Sequence, residues 1–418
     1  MRISKFTLLA IFAVGVCWGA QGPRHKSLRA YAMGNAHVAV VDDKEALYYN
    51  YAGLSQLGKL GNYEKYPEQG YYPGNFFDMR LNIGGAGPLN EVRDVYNLAN
   101  DLQDLYSDAK SDSKAGGGLV TPERAYIDSL AAHPELTKRI NEYDHMLFSM
   151  IAKFDAELAL HDFGGALWVD GNVAPYIDGG VIIPFIGIDT FYVDAVAQMG
   201  GAFNITNDLA LGAGIKIAKR QSIDMIRVDA SNFSSVNDTL NDRYDNATDD
   251  LFEWKNIGVG MDFGMLYQFA REARAGIALN NVFFTKLDGE EIIPDLTVGV
   301  DYSPRFFNRN TAYSRKMNFA VDYEDILDDN RNYKPLSHLD FGVELEQVLL
   351  AFPGYNDNLR LLKLRLSGGF HGGYPSAGFA VEALRIIQVE VSTWGEERGY
   401  YTGQDENRIY MGQVSIGF

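Results

Sequence analysis

From Ile257 the chain alternates with a period of two. Ile257, Val259, Met261, Phe263, Met265, Tyr267 and Phe269 fall on one face, and Gly258, Gly260, Asp262, Gly264 and Gln268 on the other. That is the pattern of a strand with one apolar and one polar side. The register recurs where Phe77, Met79, Leu81 and Ile83 alternate with Asp78, Arg80 and Asn82, and again through Phe148–Leu158, Leu209–Ile217, Met317–Tyr323, Leu339–Glu346 and Leu362–Ser367. It predicts strands at 77–86, 147–159, 161–171, 188–203, 208–228, 255–269, 272–284, 293–303, 315–323, 337–347, 360–371, 375–382, 384–393 and 408–418, fourteen in all.

Alternation alone does not say which face is wet. A sandwich buries apolar faces against each other, whereas a transmembrane barrel turns them to lipid. Three features favour the barrel. Residues 1–19 read as a cleavable secretory signal: two positive charges in Met1–Lys5, an apolar run from Phe6 to Val16 that is too short for a helical span of roughly 20 residues, and small residues at Cys17 and Gly19. Aromatic residues reach 13%, with 25 tyrosines suited to interfacial girdles. The polar faces carry many glycines beside charges of both signs, which suits a crowded lumen. The expected fold is all-β, a transmembrane antiparallel barrel of about fourteen strands in the bacterial outer membrane, surrounded by its lipid.

The end of the chain agrees. Tyr410, Gly412, Val414, Ile416 and Phe418 occupy alternate positions of a last strand closing on an aromatic residue. This resembles the signature by which the barrel assembly machinery recognises its clients, so Tyr410, Val414, Ile416 and Phe418 are the expected assembly signal.

Charge and cysteine content narrow the chemistry. The net charge of −18 argues against nucleic acid, for nothing resembles a basic stripe. The single cysteine, Cys17, lies in the signal, so a mature chain has no disulfide, cysteine-ligated metal or thiol nucleophile. No cofactor or metal is expected. Asp328, Asn330 and Asn332 have alternate spacing, but Tyr333 stands where a calcium loop needs glycine, and Asp238–Asp250 is acidic without that spacing. No enzyme is expected either. The histidines are scattered, and Gly373-Tyr-Pro-Ser-Ala-Gly378 misses the Gly-x-Ser-x-Gly spacing by one residue.

Two segments depart from the strand pattern. Residues 87–146 form a helical insert in which Val92, Tyr96, Ala99, Leu102 and Tyr106 recur at helical spacing. A flexible break is expected over Asp108–Gly118, then a helix capped by Thr121 with Pro122 in its first turn, then a third piece from Pro134. With the first strand ascending, the long polar stretches 87–146, 172–187, 229–254, 324–336 and 394–407 all follow odd strands and face outside, while 304–314 and 348–359 are misfits. Predicted lumen charges are Asp155, Glu157, Asp194, Asp262, Asp301, Asp322, Asp340, Glu344, Glu346 and Glu390, countered by Arg80, Lys153, Lys216, Arg274, Lys363 and Arg365.

The second unusual segment is N-terminal. The run from Leu28 to Leu54 resembles the opening motif of the FadL, TraF-like and PorV-like outer-membrane proteins, "A-x-x-M-G-x-A-x-V-A, D-D, A-L, N-P-A-G-L". It matches at Ala30, Met33, Gly34, Ala36, Val38, Ala39, Asp42, Asp43, Ala46, Leu47, Asn50, Ala52, Gly53 and Leu54, and departs at Tyr51, where the family has proline. The stretches Ile293–Pro304, Gly373–Gly378 and Trp394–Gln404 resemble the TraF-like branch most. The resemblance implies a fourteen-stranded barrel (61–418) with residues 20–60 folded into the lumen as a plug or hatch. Its contacts are then expected at Met33, Gly34, Asp42, Asp43, Asn50, Ala52, Gly53 and Leu54. FadL members move fatty acids and other hydrophobic molecules, releasing them laterally into the membrane, so the resemblance implies a hydrophobic ligand. PorV-like relatives instead act as adaptors in secretion or envelope complexes, which fits a static plug. The charged lumen fits a salt-bridged scaffold better than a greasy conduit.

Overall fold

The computed structural model describes residues 20–57, 77–87, 91–115, 120–143, 148–178, 185–223, 226–229, 257–307, 313–327, 335–352, 359–397, 403–404 and 406–417. The expected signal at 1–19, Phe418, the Asp328–Asn332 stretch and the Asp238–Asp250 stretch lie outside them.

Fourteen antiparallel strands close on themselves. They are β1 (Phe77–Ala86), β2 (Ser149–Leu160), β3 (Phe163–Asp178), β4 (Phe185–Asn204), β5 (Leu209–Ile223, continued by Ile226–Asp229), β6 (Ile257–Ala270), β7 (Ala273–Val282), β8 (Asp295–Tyr302), β9 (Arg315–Tyr323), β10 (Leu339–Phe352), β11 (Leu359–His371), β12 (Tyr374–Ala383), β13 (Ile387–Glu397) and β14 (Glu406–Gly417). The two pieces of β5 pair with β4 in one register, Phe191 opposite Ile223 and Ile188 opposite Ile226. Each strand pairs with its sequence neighbours, and β14 pairs with β1, Val414 standing opposite Leu81. Closure removes every edge, which a lipid environment demands because it offers no hydrogen bonds.

The two faces settle the sidedness. Leu81 is 52% exposed on β1 while its neighbour Arg80 is 6% exposed. The same inversion holds at Phe154 beside Asp155, Met261 beside Asp262 and Val389 beside Glu390. Charges inside and apolar side chains outside belong to a wall surrounded by lipid. On β14 the outward set includes Tyr410, Val414 and Ile416, with Met411, Gln413 and Ser415 buried inside. Among the described residues no helix is long and apolar enough to cross a membrane, so the crossing is made by strands. Leu81→Arg places a charge on the lipid face near the middle of β1. We expect it to destabilise the barrel by about 2–4 kcal/mol in an unfolding titration from lipid vesicles.

One expected misfit dissolves. β10 runs to Phe352 and β11 starts at Leu359, so half of the 348–359 stretch belongs to strands, and 353–358 lie outside the described residues. The alternation was hidden by a bulge, where the register shifts between Val348 and Ala351 and leaves Leu349 and Leu350 both exposed.

The helices are α1 (Leu28–Ala32) and α2 (Ala46–Tyr49) in the N-terminal segment, then α3 (Val92–Ala115), α4 (Pro122–Ala132) and α5 (Pro134–Tyr143) between β1 and β2. Thr121 caps α4, its hydroxyl accepting from Arg124 N at 3.3 Å. Over 108–115 the expected break is incorrect, because α3 is helical to Ala115; residues 116–118 of that stretch lie outside the described residues. No glycine or proline interrupts it before Gly116, and Tyr106 and Ala109 pack on Tyr126 of α4. Leu98, Leu102, Ile140 and Tyr143 form a second small core, so the insert is internally packed.

Candidate functional site

Residues 22–57 occupy the lumen and run its full height. At one end Ala20 and Gln21 pair in parallel with Ile292 and Ile293, between β7 and β8. At the other end Leu54 O accepts from Asp162 N at 3.1 Å, in the tight turn between β2 and β3. The first end carries the long connections, including the helical insert, and the second carries short turns apart from the 303–314 connection between β8 and β9, the other expected misfit.

Local chemistry shapes this segment. Ser27 caps α1, its hydroxyl accepting from Ala30 N. Gly34 and Asn35 then end the helix with φ of 66° each. Glycine is required at 34 because a Cβ there would lie 2.4 Å from Phe370 O and 2.5 Å from Phe341 O. Asn50 turns the chain a second time. Its Oδ1 accepts from Ala52 N at 3.1 Å, and its Nδ2 donates to Val38 O at 3.0 Å and to Met265 O of the wall at 3.1 Å. Gly53 passes so close to Val41 that a Cβ would meet its carbonyl at 2.6 Å. Met33, Ala52 and Leu54 are fully buried.

The inward glycines of the wall are sockets for this segment. A Cβ on Gly342 would lie 2.2 Å from Met33 O, one on Gly276 2.5 Å from Val38 O, and one on Gly212 2.3 Å from Ala52 N. The Tyr51 ring lies on Gly200 and Gly214, where added Cβ atoms would approach it to 2.4 and 2.3 Å. Tyr51 thus fills a floor cleared of side chains by β4 and β5, which accounts for an aromatic where the resembled motif has proline.

Charged pairs complete the attachment. Arg29, buried in α1, donates through Nε and Nη2 to both oxygens of Glu344 on β10, at 2.8 and 2.6 Å, and through Nη1 to Asp42 at 3.0 Å and to Asp43. Lys316 of β9 pairs with Asp42. Arg80 of β1 joins Glu45 to Asp78 and Glu157, and Lys44 reaches Asp78 at 2.7 Å. His25 meets Asp155 at 2.9 Å and stacks on Tyr48 with ring centroids 3.7 Å apart. Arg24 gathers Asp295, Glu324 and Asp325, and Lys26 takes Glu396. Asp322 receives the backbone N–H groups of His37 and Val38 at 2.6 and 2.8 Å.

Within the segment, burial alone would push the Asp43 and Glu45 carboxyls up. The Arg29 guanidinium outweighs it for Asp43 and Arg80 for Glu45, leaving both below the usual carboxylate range. Burial, with Arg29 beside it, pushes the His37 imidazole down to about 3, so it is neutral. The attachment is therefore charged on both sides at neutral pH.

The space left between segment and wall is small. A cavity of about 40 Å³ remains beside Arg24, His25, Tyr31, Tyr48, Tyr49, Trp168 and Lys216. An apolar cavity that takes up benzene measures roughly 150 Å³. That cavity is too small to hold a hydrocarbon while the segment is seated.

Sequence reasoning named Met33, Gly34, Asp42, Asp43, Asn50, Ala52, Gly53 and Leu54 as plug contacts; Met33, Gly34, Asn50, Ala52, Gly53 and Leu54 are buried, while Asp42 and Asp43 are half-buried beside Arg29. It named the lumen charges too, but not His25 and Arg29, which meet Asp155 and Glu344, and it left out Arg24 and Lys44 together with their partners Asp295, Glu324, Asp325 and Asp78. The available signal was the cluster of basic residues at Arg24–Arg29, opposite an acid-rich wall. Tyr51 was singled out only as a departure from the motif.

A closed, lipid-facing wall around an internally bound N-terminal segment defines a transmembrane β-barrel that carries part of its own chain in its lumen. No family model and no curated protein matches the chain. Similar solved structures include a FadL homologue from Pseudomonas aeruginosa, at 7% identity over 96% of this chain and 100% of that one, with a TM-score of 0.44. The Pseudomonas putida toluene transporter TodX aligns at 10% identity over 95% and 98%, with a TM-score of 0.39. The monoaromatic hydrocarbon channel CymD aligns at 8% identity over 96% and 99%, with a TM-score of 0.41.

Proposed function

We propose that the protein is a bacterial outer-membrane channel for small hydrophobic molecules, with residues 20–60 as its plug and gate. One observation carries the reading. All fourteen strands pair only with one another around the ring, so the wall is complete without the plug, which is held by side-chain contacts alone apart from a few main-chain bonds at its ends. Withdrawal of the plug leaves a barrel wider than the eight-stranded kind that side chains fill. Long connections on one end orient that end outward, and Tyr410, Val414, Ile416 and Phe418 serve assembly. The opening motif at Leu28–Leu54, similar to that of FadL proteins, supports a hydrophobic ligand, and Tyr31, Tyr48, Tyr49 and Trp168 supply apolar surface around the residual cavity.

The test is uptake of labelled hydrophobic compounds by cells with and without the gene, and by cells carrying Leu47→Cys/Gly164→Cys. A Cβ on Gly164 would lie 2.9 Å from Leu47 Cδ2, so the two positions face each other across plug and wall, and a cross-link between them locks the plug. Uptake should fall in the deletion and in the oxidised variant, and recover on reduction. Equal uptake in all strains ends the transport reading.

A second reading is favoured by the insert. With two packed cores of its own, α3–α5 stands at the outward end as a preformed surface, which suits an adaptor of the PorV-like or TraF-like kind. An adaptor keeps its cellular role with the plug locked and loses it when residues 91–143 are removed.

A further inference from the structure

Asp340 at the start of β10 stands directly opposite Asp322 of β9. Both carboxylates point into the lumen and are buried, Asp340 completely. Like charges directly opposed across a sheet repel, and burial removes the water that would screen them. One oxygen of each is occupied. Asp322 Oδ2 holds the His37 and Val38 N–H groups, while Asp340 Oδ1 lies 2.9 Å from His371 Nδ1 and accepts from Gly372 N at 3.2 Å. Among the described residues the other two oxygens, Asp322 Oδ1 and Asp340 Oδ2, are buried without a hydrogen-bond partner. An orphaned, fully buried carboxylate oxygen calls for a proton or a cation.

Glu324, one residue beyond β9, brings a third donor to the same place. One ligand atom each from Glu324, Asp340 and His371 lies within 4.8 Å of the others. The N-terminal segment supports the cluster. Asn35 donates to Glu324 Oε2 at 3.0 Å, and the Tyr31 ring lies edge-on to the His371 imidazole with centroids 5.0 Å apart.

We propose that Glu324, Asp340 and His371 form a divalent transition-metal site at the long-connection end of the lumen. One imidazole and two carboxylates suit a borderline ion such as Zn²⁺, whereas Ca²⁺ seeks about six to eight oxygen ligands and finds too few here. Zinc–donor bonds of about 2.0–2.2 Å need the three donors to close by side-chain movements on the order of 1 Å. Binding requires a neutral imidazole, so the ion takes the place of a proton between His371 and Asp340. Bound there, it joins β9, β10 and β11 beside Tyr31 and Asn35. All three ligands lie outside the plug, although Arg24 and Asn35 of the plug both contact Glu324 Oε2, at 3.4 and 3.0 Å.

The experiment uses full-length protein in detergent, stripped with a chelator and titrated calorimetrically with Zn²⁺ and, separately, with Ca²⁺. One equivalent of Zn²⁺ and no Ca²⁺ should bind. Asp340→Asn and His371→Ala should each weaken Zn²⁺ binding at least about 100-fold while keeping heat-modifiable gel mobility, and His133→Ala, at an exposed histidine beside Glu135, should leave it unchanged. X-ray absorption of the zinc-loaded wild type should show one imidazole ligand, a readout that stands even if a variant misfolds. No Zn²⁺ uptake, uptake unchanged in both Asp340→Asn and His371→Ala, loss in His133→Ala, or a spectrum without imidazole overturns the site and leaves a plain charge pair.

Discussion

Arg29→Met should unseat the plug and turn a plugged barrel into a conducting one. The arginine is 4% exposed and is the common partner of Glu344, Asp42 and Asp43. Methionine keeps most of the volume and removes the charge, so Glu344, which is fully buried, loses its bidentate partner and keeps only Arg365 at 3.7 Å and Asn318 at 3.3 Å, and Asp42 is left to Lys316. Breaking one side of a buried ion pair costs about 3–5 kcal/mol, most of it the penalty of the stranded charge. Undocking the plug lets water reach those carboxylates, so the cost falls on the docked state rather than on the wall. At about 1.4 kcal/mol per tenfold, the docking equilibrium constant drops by about two to three and a half orders of magnitude. Planar-bilayer conductance should rise, and protease should cut within residues 22–57, with heat-modifiable mobility retained. A variant as silent and protease-resistant as the wild type would falsify the assignment of Arg29 as the main anchor.

Gly212→Val combined with Gly342→Val should give the same phenotype by a steric route. Both glycines lie in wall strands, and valine suits a strand better than glycine does, so the barrel itself has no reason to fail. The added Cβ atoms would sit 2.3 Å from Ala52 N and 2.2 Å from Met33 O, both backbone atoms that no rotamer change moves aside. Overpacking typically costs about 1–3 kcal/mol per site, and two sites at opposite ends of the plug leave it no seated position. A control at Gly368→Val, where the nearest atom to an added Cβ is 3.7 Å away, should leave the barrel closed. Conductance equal to wild type in the double variant, or raised equally in the control, would show that the sockets do not hold the plug.

Much of this architecture was legible in the chain. Period-two faces at Phe77–Ile83, Ile257–Phe269 and Met317–Tyr323 identified strands because side chains on a pleated strand must alternate, whatever the fold around them. They also identified which residues share a face, so Asp155, Glu157, Asp322, Asp340 and Glu344 were recognised as one inward set. Where local geometry breaks the alternation, the reading failed, as at the Val348–Ala351 bulge. Where packing rather than composition maintains a helix, it failed again, as at Asp108–Ala115.

The interior was legible only in part. Gly34, Asn50 and Gly53 are needed for local reasons, a left-handed turn, a cap and a close pass, and local needs leave marks in a short motif. The partnership of Arg29 with Glu344 spans 315 residues, and that of Tyr51 with Gly200, Gly212 and Gly214 spans two strands. No periodicity encodes such pairs.

By itself, then, the sequence determined a lipid-facing barrel of about fourteen strands with a polar interior, because alternation and strand closure follow from backbone geometry. Only the tertiary structure decided how the N-terminal segment is seated there, with Arg29 on Glu344, Tyr51 on Gly200 and Gly214, and Leu54 at the turn between β2 and β3. Which glycine faces which ring, and which carboxylate meets which guanidinium, depends on how the strands stagger around the ring, and that is a property of the closed barrel as a whole.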